Sequence, residues 1–105
     1  ESAVIRARLT EYQGAGWFAP HEIEMVASLS LRSQARSWAA RLGPNAAAAM
    51  KRFQKDATSL AYMRQRAVSG RADLRTHGAS EQELLASLTA DRQAFQQAAP
   101  QAFRA

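Results

Sequence analysis

Apolar residues recur every three or four positions along residues 45–68, which read NAAAAMKRFQKDATSLAYMRQRAV. Ala46, Met50, Phe53, Ala57, Leu60 and Ala61 share this spacing, and neither Gly nor Pro interrupts it. An Ala-rich run with that period predicts a helix. At 1.5 Å per residue it would extend about 36 Å, enough to cross a small domain. Every other periodic stretch is shorter. The pattern therefore predicts an all-α domain of four to five helices packed around a long central one.

The flanking elements follow from the same reading. Residues 3–13 place Val4 or Ile5, Arg8 or Leu9, and Tyr12 at helical intervals, and Gly14 and Gly16 suit the end of that helix. A second helix starts at Pro20, with Glu22 and Glu24 complementing its positive end. Ala19 is a poor cap for it, and Trp17 and Phe18 are expected to fold inward and staple the entry. Residues 30–42 form a third helix whose apolar face is Leu31, Ala35, Trp38 or Ala39, and Leu42, with Arg32, Arg36 and Arg41 solvated. Gly43-Pro44 ends it, and Asn45 is expected to cap the central helix after a turn of about three residues. Residues 69–80 read as a loop, with a turn of helix around 72–74. Ser80 with Glu83 matches a capping box for a last helix carrying Leu84 or Leu85, Leu88, Arg92 and Phe95 on one stripe. That helix stops before Pro100, and the final QAFRA is expected to fray.

Composition narrows the class. With 105 residues and no internal repeat, the chain is read as one domain, 1–105. Few β-branched residues and abundant Ala agree with the all-α reading. The absence of cysteine removes disulfides and thiolate metal sites. The net charge is +5, dominated by Arg. A GC-rich coding sequence would produce the same Ala and Arg bias; contact with phosphates of nucleic acid or anionic lipid is the sharper explanation. No stretch approaches the roughly 18 consecutive apolar residues of a membrane span. The chain begins Glu1-Ser2 with no signal peptide, so a soluble piece of a longer protein is expected.

Candidate chemistry is sparse. His21-Glu22 hints at a zinc-protease helix, but that motif needs a second His four residues on, where Met25 stands. His77 lies in a Gly-flanked loop, so both histidines are read as surface residues. No serine sits in a nucleophile elbow, and no Gly-rich loop is placed to cradle phosphates. No catalytic residue, metal ligand or cofactor is assigned. Trp17, Phe18, Trp38, Phe53, Tyr62 and Phe95 are read as core. Lys51, Arg52, Lys55 and Arg66 form a candidate basic contact surface on the central helix. Read as a helix-turn-helix, the third and central helices would bring Lys51, Arg52 and Lys55 near phosphates, but the supposed reading helix opens with Ala46 to Ala49. Nucleic acid is therefore disfavoured as a partner.

Three stretches, GWFAPHEIEMVAS, SQARSWAARLGPNAAAAMKRFQKDATSLAYMRQRAVSGRAD and EQELLASLTADRQAF, together resemble the C-terminal soluble region of bacterial PrsW-family intramembrane metalloproteases. The most specific pieces are Gly16, Trp17, Phe18 and Pro20, then Trp38-Ala39, Met50 with Phe53, Ala57-Thr58 and Leu60-Ala61. In that family the proteolytic site lies among membrane helices, built from glutamates and histidines; those motifs do not occur in this sequence. The resemblance implies a non-catalytic cytosolic accessory or interaction domain on the cytoplasmic tail of a cell-membrane protein, with regulated intramembrane proteolysis as the activity expected of that parent. Its expected partners are the parent membrane domain, another protein, a second copy of itself, or anionic headgroups. Arg6 and Arg8, near the start of the chain, are the candidate membrane-proximal cations. A small basic DNA-binding regulator and a freestanding helical interaction module are the alternatives.

Overall fold

The computed structural model describes residues 2–70 and 79–100. Five helices form: α1 (Ser2–Gln13), α2 (Pro20–Leu29), α3 (Arg32–Leu42), α4 (Pro44–Val68) and α5 (Glu81–Ala98). The all-α architecture with one long helix is as the periodicity predicts. α4 has 25 residues, about 38 Å at 1.5 Å each. That matches the 40 Å long axis of the molecule. α5 packs chiefly on α4, α1 on both α2 and α4, and α3 on α4 and α2.

The core surrounds α4. Phe53, Ala57, Leu60 and Ala61 are completely buried, together with Leu9 of α1, Val26 of α2 and Phe95 of α5. Ala57 and Ala61 keep the α4 surface low, which lets neighbouring helices approach closely. Phe53 fills the remaining space, meeting the Phe18 ring at 6.2 Å between centroids and 55° between planes. That tilted geometry suits two aromatic quadrupoles.

The local signals explain most helix ends. Ser80 and Glu83 form the expected capping box: Ser80 N–H donates to the Glu83 carboxylate at 3.1 Å, and Glu83 N–H donates to Ser80 Oγ at 3.3 Å. In α2 the missing cap at Ala19 is half replaced, because Glu22 Oε1 accepts from Ala19 N–H at 2.9 Å.

Four expectations need correction. Asn45 does not cap α4. The connection is Gly43 alone, at φ +84°, whose N–H closes α3 on Ala39 O and whose carbonyl accepts from Ala47 N–H. Pro44 supplies the first helical residue, where its missing N–H costs nothing. α3 starts at Arg32, not residue 30, and Leu31 is 55 % exposed rather than on the inner face. Trp17 does not fold inward with Phe18: it is 37 % exposed while Phe18 is 3 % exposed. Adjacent side chains in non-helical backbone point apart, so one ring enters the core and the other leaves it. His21 is half-buried, with Nε2 enclosed and lacking a hydrogen-bond partner, not a surface histidine. The predicted turn at 72–74, His77 and the frayed end at 101–105 lie outside the described residues.

Candidate functional site

The most concentrated polar constellation lies where the α1–α2 connection meets α5. Glu22, only 5 % exposed, is the one buried charged residue among the described residues. A carboxylate there must be paired. Arg92 Nε donates to Glu22 Oε2 at 2.7 Å, and its Nη2 donates to the Trp17 carbonyl at 2.7 Å. Its guanidinium carbon also lies 5.6 Å from the Phe18 ring centroid and 5.2 Å from that of Phe53. Arg92 thus clamps the α1–α2 connection and α2 onto α5 while covering the aromatic core. Arg is suited to this task because its planar fork serves a carboxylate, a carbonyl and ring faces at once.

Beside the clamp is an open recess of about 320 Å³, lined by Trp17, Ala19, His21, Glu22, Arg92 and Gln96. Its chemistry is limited. The guanidinium is committed to Glu22 and Trp17, and no hydroxyl, thiol or lysine side chain lines the space. A single imidazole without a nucleophile beside it lacks the parts of a hydrolytic centre. Among the described residues no three His, Asp or Glu side chains are grouped to hold a metal ion.

A second constellation joins α4 to α5. Asp91 is pushed up to about 7, first by burial, then by hydrogen bonding to Asp56 and by its charge, with Arg52 opposing. Asp91 Oδ2 is enclosed and finds no donor among fixed groups. Two ionised carboxylates offer each other only acceptors, and a proton held between them supplies the missing donor.

At a further contact Tyr12 donates its hydroxyl to Glu81, tying α1 to the start of α5. Burial, and then that bond, hold the phenol above its ordinary value. Glu11 accepts from Arg8 at 2.7 Å and from Arg64 at 2.8 Å, joining α1 to α4.

These ties sort the cations singled out in the sequence. Arg6 meets Glu24 at 3.0 Å and Arg8 meets Glu11, so both membrane-proximal candidates are engaged with carboxylates. Lys51, Arg52 and Lys55 are exposed on α4, and Arg66 is partly buried further along it. They fall on the side of α4 away from Phe53, Ala57 and Leu60, as the helical period requires. Glu22, Arg92, Asp56 and Asp91 were not legible as pairs. Arg92 stood on a predicted inner stripe, the one hint that it needed a partner. Comparison of the chain with models of known families, with curated proteins and with solved structures found no match.

Proposed function

We propose that this chain is a non-catalytic accessory domain on the cytoplasmic tail of a membrane protein resembling the PrsW family, where it positions a contact surface for the parent or a partner. One observation carries the reading: the buried or inter-helix charged groups are spent holding helices together, while Arg32, Arg36, Lys51 and Lys55 are exposed with no carboxylate among the described residues within ion-pair distance. Glu22 with Arg92, Glu11 with Arg64, and Tyr12 with Glu81 all join separate helices. Of the residues that carry the resemblance, Phe18, Met50, Phe53, Ala57, Leu60 and Ala61 are buried and build the scaffold, whereas Gly16, Trp17 and Pro20 are exposed. No described helix is long and apolar enough to cross a membrane, so the proposal places any span in the parent.

The DNA-binding alternative fits the geometry less well. Ala46, Ala47 and Ala49, at the start of α4, are buried. A recognition helix presents that end to base edges. The single-residue link at Gly43 is also shorter than the three or four residues of a helix-turn-helix.

Reading the coding region upstream of Glu1 tests the proposal. Apolar spans carrying paired glutamates and histidines are the expected result. Spans without those residues would remove the protease parent but keep the membrane tail. A start codon immediately before Glu1 would refute both.

A further inference from the structure

The positive charge of this protein is not spread over it. Between Glu24 and Asp56 the sequence holds six cations (Arg32, Arg36, Arg41, Lys51, Arg52 and Lys55) and no carboxylate. The rest of the chain carries eight cations and nine carboxylates. The entire excess therefore belongs to α3 and the first half of α4. Among the described residues, Arg32, Arg36, Lys51 and Lys55 have no carboxylate within ion-pair distance, whereas Arg6, Arg8, Arg64 and Arg92 each do.

α3 has no buried residue, and Arg32, Arg36 and Leu31 are all exposed. Arg32 with Arg36, and Lys51 with Lys55, are like-charge pairs at i, i+4, a spacing that is repulsive in an isolated helix. Among the described residues no carboxylate forms an ion pair with these four that would offset that repulsion. An external anionic surface would.

We infer that the outward face of α3, led by Leu31, Arg32 and Arg36, docks on an anionic phospholipid surface, with Lys51 and Lys55 strengthening the attraction. A bilayer suits this face better than a nucleic acid or an acidic peptide for two reasons. The face is a convex helix, not a groove, and it sets a large exposed aliphatic side chain next to its cations. Basic residues gather headgroups while an apolar residue enters the interface. The inference rests on the tail reading for the nearness of a bilayer. The surface itself can be tested alone, so either can fail without the other.

The test is co-sedimentation of the 105-residue chain with vesicles of phosphatidylcholine alone and with about a third phosphatidylserine. The chain should bind the anionic vesicles only, and more weakly as salt rises. Arg32→Gln with Arg36→Gln should lower partitioning roughly twenty-five-fold, from about five-fold per basic residue at such a surface. Arg32→Lys with Arg36→Lys keeps the charge and should retain binding. Gln82→Glu with Gln93→Glu removes the same net charge from exposed positions on α5 and should change partitioning far less. Circular dichroism establishes that each variant is folded. Equal binding to neutral vesicles, equal losses in the α3 and α5 variants, or tighter binding to duplex DNA at matched salt would each overturn the inference.

Discussion

Arg92→Ala should destabilise the domain far more than a surface arginine substitution. The change removes the 2.7 Å bond to Glu22, the 2.7 Å bond to the Trp17 carbonyl and the cover over Phe18 and Phe53. Glu22 keeps the Ala19 N–H, but its charge stays in a site where it is 5 % exposed. Removing one partner of a buried pair costs about 3–5 kcal/mol. The Arg92 side chain is one-fifth exposed, so the low end, about 3 kcal/mol, is expected. Against a typical total of roughly 5–15 kcal/mol, that is a large fraction. At roughly 4–8 °C per kcal/mol for a domain near this size, Tm should fall by about 12–24 °C. Urea unfolding followed by circular dichroism gives the free energy directly. Glu22→Gln combined with Arg92→Met should recover part of the loss, because no unpaired charge then remains. A loss below about 1 kcal/mol in Arg92→Ala, or strictly additive single effects, would refute the clamp.

Three further outcomes follow from the same geometry. Asp91 binds its proton more tightly folded than unfolded, so its contribution to stability is present at low pH and lost as pH rises from about 4 towards about 7. Asp91→Asn should flatten that fall and leave the variant more stable than the parent sequence at pH above 7; urea midpoints at acid and alkaline pH that move in parallel would contradict it. Phe53→Ala removes a completely buried ring and should cost about 3–5 kcal/mol, measured by the same titration. Gly43→Ala places a side chain at φ +84°, ψ 171°, a region that is essentially glycine's alone; nothing obstructs it sterically, so its cost is backbone strain, on the order of 1–3 kcal/mol, read as a lower Tm.

Local signals carried far in this sequence. The α4 period named its buried face because one helix surface meets the core over its whole length, and the α5 capping box is complete within four residues. What escaped were features decided across the chain. Glu22 reads locally as a carboxylate suited to a helix start, and it does accept from Ala19 N–H. Its burial depends on Arg92, seventy residues later. Trp17 and Phe18 are equivalent as composition, and only the direction of the backbone separates them. Asn45 is a strong capping residue, but Pro44 and a positive-φ Gly43 start the helix two residues earlier than an Asn45 cap would. For the candidate contact surface, the sequence marked Lys51, Arg52, Lys55 and Arg66 as a basic patch, of which the first three are exposed and Arg66 is partly buried. It marked Arg6 and Arg8 equally, and only the positions of Glu24 and Glu11 reveal that those two are engaged.

The most direct test of the proposed role is fractionation of cells expressing the full-length product with a tag after Ala105. The account predicts that the tag sediments with membranes, resists carbonate extraction, and is cleaved by protease only when the cytoplasmic face is opened. A tag released into the soluble fraction would contradict it.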